Sequence, residues 1–484
     1  MKEEKALGAE ELQTRIESDS IGEKKVPAAA YYGVQSMRAL ENFPITGTRL
    51  HKEMIRSLAM LKKACATANQ TAGVLDEKTA AAIIHACDKI CDGQFHDQFI
   101  VDPIQGSAGT SMNMNANEVI ANIAIELLGG QKGDYALVHP NDHVNCGQST
   151  NDVIPTAGKM ATLVLMDSLE RSLEALYESF EQKAREFNDI LKMGRTQLQD
   201  AVPIRLGQEF HAYATAVARG LRRIHRAEED LLTINMGGTA IGTGLNADES
   251  YFKSIAATLS AYTGRPFRQA EDLIDATQNV DCFASVSSAV RNCAIALSKI
   301  ANDLRLMSSG PRTGFGEINL PAKQNGSSIM PGKVNPVIPE VINQVAFKIA
   351  GNDTTISMAV EAGQLELNAF EPVIFYALFQ SIDELDHAVR TFTTNCVDGI
   401  TVNKQRCQEL LDASVGMITA LCPYIGYTQA AQLAKEALST KVPVRKLVLD
   451  KGILSKEKLD AILDAYEMTC PGISGKETAE LVGA

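Results

Sequence analysis

No run of eighteen apolar residues occurs in the chain, so a transmembrane helix is not expected. The opening stretch, 1–13, is charged and lacks the apolar centre of a secretory leader, which points to a cytoplasmic protein. Basic excess is missing as well. The formal net charge of -13 opposes nonspecific attraction to nucleic acid or to an anionic membrane, so neither is expected as a partner. A small anionic substrate is still open, because local donors decide that. The HExxH pair of a zinc hydrolase, the GxxxxGK phosphate loop and the GxSxG nucleophile elbow are all absent. Gly242-Thr243-Gly244 lacks the third glycine of a dinucleotide fingerprint and reads as a turn. The ten cysteines are scattered from Cys65 to Cys470. Cys87 and Cys91 lie one helical turn apart, but no second pair completes a zinc spacing. They read as reduced packing thiols in a reducing compartment, with zinc the lesser alternative. No cofactor and no metal are expected.

What is present is an ordinary globular composition, with 45% apolar and 22% charged residues, on 484 residues. At about 150 residues per domain this length predicts roughly three domains. The middle of the chain carries long helical periodicity. From Asp152 to Asn188, Leu165, Leu169, Leu173, Leu176 and Phe180 recur in steps of four and three and predict one helix about 55 Å long. A second run opens at Pro203, keeps the period through Tyr213, Val217, Leu221 and Ile224, and stops at Gly237-Gly238. A third runs from Asp281 through Val286, Val290, Cys293, Leu297, Ile300, Leu304 and Met307 to a stop at Gly310-Pro311. Two more follow, at Pro336–Met358 and about Leu367–Asn395.

Helices this long cannot bury their stripes inside a small domain, and they predict an elongated bundle with faces left for partner subunits. The flanking segments are mixed and broken by glycine and proline. The expected organisation is an N-terminal, mostly helical domain (1–147), a central five-helix bundle (148–398) and a small C-terminal helical domain (399–484).

Four polar clusters interrupt the helices: Gln105-Gly106-Ser107-Ala108-Gly109-Thr110-Ser111, Gln148-Ser149-Thr150-Asn151-Asp152, Gly194-Arg195-Thr196-Gln197, and the stretch from Gly326 to Pro336. Taken singly, each reads as a cap or a turn; Ser149, Thr150 or Asn151 is an ordinary N-cap residue. Together they share hydroxyls, amides and glycine, and one holds a lysine. Free N–H groups at helix N-termini favour anions, and the set reads as an anion site.

The stretch Gly326-Ser327-Ser328-Ile329-Met330-Pro331-Gly332-Lys333-Val334-Asn335, followed by Glu340, resembles the signature of the aspartase/fumarase superfamily. Companion motifs keep the family's order. They are Gly109-Thr110-Ser111-Met112-Asn113-Met114-Asn115, His139-Pro140-Asn141-Asp142-His143-Val144-Asn145, Gly194-Arg195-Thr196, Gly207-Gln208-Glu209-Phe210 and Pro423-Tyr424-Ile425-Gly426-Tyr427. The resemblance implies a mainly α, three-domain fold with a central long-helix bundle, assembled as a homotetramer in which three subunits build each site. It also implies a cofactor-free lyase acting on four-carbon dicarboxylates.

Within the superfamily the aspartase branch is the better match. Thr150 stands where fumarases usually carry a second serine, and Ser111-Met112 stands where they usually have Gln-Ser. Gln197 replaces the histidine of fumarases and of some aspartases; a neutral amide holds substrate but exchanges no proton near neutral pH. The bland reading of Gln197 is a structural amide. The reaction this implies is reversible deamination of L-aspartate to fumarate and ammonia. Fumarate hydratase is the alternative, and a noncatalytic structural oligomer is the rival of another class.

By the same resemblance Ser327 is the base that removes the C3 proton. Thr110, Ser149, Thr150 and Ser328 hold the β-carboxylate, Thr196, Lys333 and Asn335 hold the α-carboxylate, Asn151 meets the amino group, and Glu340 supports the loop. The intermediate is an aci-carboxylate, so donors aimed at that growing charge carry the catalysis.

Overall fold

The computed structural model describes residues 13–477 and 481–482. The charged opening residues 1–12, part of the stretch read above as no leader, lie outside the described residues. Strands β1 (Thr14–Asp19) and β2 (Gly22–Pro27) pair antiparallel, from Thr14↔Pro27 to Asp19↔Gly22. Helices α1 (Val34–Asn42), α2 (Lys52–Thr71), α3 (Glu77–Cys91) and α4 (Thr110–Leu127) follow. The first long helix, α5, spans Thr150–Glu186. A hairpin of β3 (Leu191–Thr196) and β4 (Gln199–Arg205) leads into α6 (Leu206–Glu228). Strand β5 (Thr233–Ile234), α7 (Glu249–Thr263), β6 (Arg268–Gln269) and the single turn α8 (Asp275–Gln278) precede α9 (Asp281–Met307). After β7 (Ile318–Asn319) come α10 (Val337–Glu361) and α11 (Glu371–Asn395), and β8 (Thr401–Val402) then pairs with β7. Five short helices close the chain: α12 (Lys404–Ala413), α13 (Cys422–Ile425), α14 (Tyr427–Thr440), α15 (Val444–Asp450) and α16 (Lys456–Ile462).

All five expected long runs are helices. The stripe residues Leu165, Leu169, Leu173, Leu176 and Phe180 on α5 are buried, as is every stripe residue named on α9. The second run differs at both ends. Pro203 pairs with Met193 inside β4, next to a register shift between Met193 and Arg195, and α6 starts only at Leu206 and ends at Glu228. A proline is tolerated at such a bulge because the ladder is already interrupted there.

The chain separates into two compact units, and it passes from one to the other within α5, α6, α9, α10 and α11. Unit 1 holds the segments up to Glu170, Arg222–Asn292 and Phe347–Leu385. Its core includes Leu58, Leu61, Cys65, Ile83, Cys87, Ile90 and Ile120, all fully buried. Unit 2 holds Arg171–Leu221, Cys293–Ala346 and the chain from Asp386 onward. One of its cores packs Phe180, Phe187, Phe210, Tyr213 and Phe392 edge-on or tilted, with contacting ring centroids 5.2–6.2 Å apart. Another gathers Leu421, Leu433, Val448, Leu459 and Ile462 from the short C-terminal helices. No disulfide joins the ten cysteines. Among the described residues, no helix is long and apolar enough to cross a membrane.

Candidate active site

A cavity of about 420 Å³ opens in unit 1, walled by Thr110, Asn113, Asn145, Gln148, Ser149, Thr150, Thr239 and Ala240 among others. Its first wall is the start of α4. Ser107, Ala108 and Gly109 take φ of 64°, 53° and 87°, three left-handed residues in a row, two of them with a Cβ. Gln105 braces this turn, accepting the Met112 N–H at 2.8 Å and donating to the Asp102 carbonyl at 2.6 Å. Thr110, on the first turn of the helix, donates its hydroxyl to the Ser107 carbonyl at 2.8 Å.

The second wall is the start of α5. Ser149 caps the helix: its Oγ accepts the Asn151 N–H at 3.2 Å, and its own N–H is held by Asp152 Oδ1 at 2.8 Å. The other oxygen of Asp152 accepts the N–H groups of Gly237 and Thr239, which ties the 237–240 loop to the helix. Burial pushes the Asp152 carboxyl up to about 7 despite these donors. Pro155 has no N–H to offer the Asn151 carbonyl one turn back. Asn235 fills that place, donating Nδ2 to the Asn151 oxygen at 3.0 Å. The side chain of Asn151 donates to the Ala240 carbonyl at 2.7 Å.

Beneath both walls lies Lys62 of α2, fully buried. Its ammonium donates to Asn145 Oδ1 at 2.8 Å and to Gln148 Oε1 at 2.9 Å. Asn113 bridges the same Asn145 oxygen and Thr150 Oγ1, at 3.2 Å each. Burial pushes the Lys62 ammonium down to about 8, and Cys65, Asp152 and Cys87 oppose that shift.

Unit 2 carries the other two clusters. In Gly194-Arg195-Thr196-Gln197 the first three residues end β3, and Gln197 and Leu198, with φ of 55° and 61°, make the two-residue turn into β4. A Cβ on Gly194 would stand 2.7 Å from the Val202 carbonyl, so only glycine fits the crossing. Glu317, fully buried, anchors the strand: one oxygen meets Arg195 at 2.8 Å and the other meets Lys192 at 3.0 Å. The Arg195 guanidinium also lies 4.1 Å over the Phe315 ring. Thr196 and Gln197, at the tip, are exposed.

The signature loop is pinched at its neck. Gly326 N–H donates to the Lys333 carbonyl at 2.8 Å, and Asn335 Nδ2 donates to the Gly326 carbonyl at 2.6 Å. Inside the loop Ser327 Oγ accepts the N–H groups of Ile329 and Met330, at 3.2 and 2.9 Å. Ser328 and Lys333 are exposed, with Ile329 84% exposed between them. Glu340, in the first turn of α10, stands 3.9 Å from Arg305.

Of the expected site residues, Thr110, Ser149 and Thr150 line the cavity, and Asn151 is tied to its Ala240 wall. Thr196, Gln197, Ser327, Ser328, Lys333, Asn335 and Glu340 belong to unit 2, and none lines the cavity. One trio among the described residues has metal-ligand geometry, with donor atoms of Glu170, His225 and Glu228 within 4.8 Å of one another; it too is outside the cavity lining.

A family profile described as Lyase matches residues 22–351, and a second, Fumarase C C-terminus, matches 417–470. The chain belongs to the aspartase/fumarase superfamily. Superfamily relatives align with nearly its whole length. Proteins named aspartate ammonia-lyase are 55% identical in a Bacillus species, over 96% of this chain and 99% of theirs, and 49% identical in Escherichia coli K12, over 96% and 97%. Among solved structures, a fumarate lyase:delta crystallin from Brucella melitensis, bound to cobalt, superposes with a TM-score of 0.92 at 48% identity, covering 95% of this chain and all of that one. A class II fumarase from Schistosoma mansoni superposes with 0.91 at 35% identity, with the same coverage.

Three residues bonded to these clusters escape a motif search. Lys62 is one lysine in the apolar run Met60-Leu61-Lys62-Lys63-Ala64-Cys65, and its position on the buried stripe with Leu58, Leu61 and Cys65 is the only sequence signal. Lys192 and Glu317 lie outside every polar cluster, and nothing local marks them as partners.

Proposed function

We propose that this chain converts L-aspartate to fumarate and ammonia. The match over nearly the full length to proteins named aspartate ammonia-lyase carries the reading. Ser327 takes the C3 proton, the resulting charge spreads into the adjacent carboxylate, and ammonia leaves C2. The two N–H groups on Ser327 Oγ support this role, because hydrogen bonds to an oxygen favour its anion. Thr110, Ser149, Thr150 and Ser328 receive the β-carboxylate; Thr196, Lys333 and Asn335 receive the α-carboxylate, with Gln197 beside them; Glu340 steadies the loop. Asn151 meets the amino group once it leaves the Ala240 carbonyl.

Each site is completed by other copies of the chain in a homotetramer. One observation supports this: Phe347 and Met358, three turns apart on α10, stand 68% and 69% exposed. The three-segment division at 147 and 399 belongs to the same proposal, since α5, α6, α9, α10 and α11 all fall between those limits. So does a cytoplasmic location, supported by ten cysteines without a disulfide.

Fumarate absorbance tests the activity. Aspartate gives product and malate gives negligible product; faster malate dehydration on the same preparation replaces this reading with fumarate hydratase, and silence with both substrates leaves a noncatalytic oligomer. Mixing Thr196→Ala with Ser327→Ala chains tests the assembly. Partial recovery of activity is expected, and a fully active monomer in sedimentation overturns it.

A further inference from the structure

Lys62 is a cation buried without an ion pair. Its two acceptors, Asn145 Oδ1 and Gln148 Oε1, are neutral amides, and among the described residues no carboxylate lies within ion-pair distance of it. Asp152, the carboxylate whose charge acts on it, has its oxygens committed to the N–H groups of Ser149, Gly237 and Thr239. Burying an ammonium this way costs stability that apolar packing would not. The charge is also not spent on the surface, because the whole residue is 0% exposed.

Its surroundings give the charge a direction. Asn145 Oδ1 accepts from Lys62, from Asn113 at 3.2 Å and from Asn117 at 3.2 Å. Three donors on one oxygen fix that amide, so Asn145 presents its NH2 group to the Gln148 carbonyl at 3.1 Å. Asn113 passes the order on to Thr150 Oγ1. Asn113, Asn145, Gln148 and Thr150 all line the cavity, so one buried ammonium stands behind four of its polar wall groups.

We propose that Lys62 is a positioning residue that orients the Asn113, Asn145 and Gln148 amides and places a fixed positive charge behind the cavity, giving it a preference for doubly over singly charged carboxylic acids. The inference rests on the reading of this cavity as the β-carboxylate half of the site. A charge under a low-dielectric wall acts on the ligand's total charge, whereas hydroxyl donors act on the oxygens they touch. The discrimination is therefore between dianion and monoanion, not between one carboxylate shape and another.

The test uses the full assembled protein and two probes, succinate (a dianion) and its monoamide (a monoanion), with binding read by calorimetry. Lys62→Met should weaken succinate by about tenfold or more and the monoamide by less than about threefold. Lys62→Arg, which keeps the charge, should restore the preference. Should Lys62→Met not assemble, Lys62→Gln serves instead. It removes the charge and keeps an N–H donor for the Asn145 and Gln148 oxygens. It should give the same selective loss. Equal losses for both probes, or none for either in an assembled variant, overturn the proposal. Absence of fumarate from aspartate in the unaltered protein would instead overturn the proposed activity, while the binding preference would still be read.

Discussion

Met330 N–H reaches back 2.9 Å to the hydroxyl oxygen of Ser327, three residues earlier in the signature loop, and Ile329 N–H shares that oxygen. The loop thus wraps its own backbone donors around the group proposed as base. Ser327→Ala removes that oxygen and the two hydrogen bonds it accepts, from exposed residues whose N–H groups turn to water instead. We expect normal assembly by sedimentation and a loss of nearly all turnover. Turnover close to that of the unaltered protein would assign proton removal to another group.

Lys333 is exposed on the same loop, and its carbonyl closes the neck by accepting Gly326 N–H. That bond belongs to the backbone and survives replacement of the side chain. Lys333→Met should therefore leave the loop shaped while removing the charge proposed to meet the α-carboxylate. The expected cost in kcat/KM is about 1.5–3 kcal/mol, the range of a charge-assisted hydrogen bond. Unchanged KM and kcat would reduce Lys333 to a surface residue.

Glu317 holds Lys192 and Arg195 from a fully buried position. Removing one member of such a group leaves charge without a counterion, at a cost of about 3–5 kcal/mol. Glu317→Gln should lower unfolding stability by that order in denaturant melts. It should also reduce turnover, because Thr196 follows Arg195 on the anchored strand. A variant as stable as the parent would show that Glu209, which also meets Lys192 at 2.9 Å, suffices for the cluster.

The pH response of Lys62 has a definite sign. In the fold its pKa is about 8; in the unfolded chain it returns toward the ordinary 10.5. Between those values the unfolded chain binds more protons than the folded one, so stability contributed by this group rises with pH. Compared with Lys62→Met, the unaltered protein should gain unfolding free energy from pH 8 to 10, by at most about 1.4 kcal/mol per pH unit. Cys65, Cys87 and Asp152 surround the group and are common to both proteins. A flat difference across that range would show an unperturbed ammonium.

The long helices were legible because apolar residues repeated over many turns; on α9 all seven stripe positions fall as the period requires. The β3–β4 hairpin was not. A two-residue turn of this type is marked by glycine or asparagine, and here Gln197 and Leu198 adopt left-handed φ without either. The starts of α4 and α5 were blurred for a related reason: Thr110, Thr150 and Asn151 have loop-like chemistry but occupy first helical turns, where polar side chains serve the free N–H groups. The signature motif named the candidate base and lysine directly. Lys62 carries no such mark, because its meaning depends on Asn145 and Gln148, more than eighty residues further along.

Pro155 gives the cavity an unusual kind of hinge pin. By withholding one hydrogen atom from α5 it vacates the Asn151 carbonyl, and that vacancy holds Asn235 and, with it, the chain that leads to Thr239 and Ala240. The wall's address is thus written on a different segment from the wall itself. For anyone reshaping the specificity of this enzyme, the useful handle is remote: restoring the helix's own hydrogen bond at residue 155 gives Asn235 a competitor for the Asn151 carbonyl and loosens one tie on the far wall, while Asp152 still holds Gly237 and Thr239 and the donors at Thr110, Ser149 and Thr150 stay untouched.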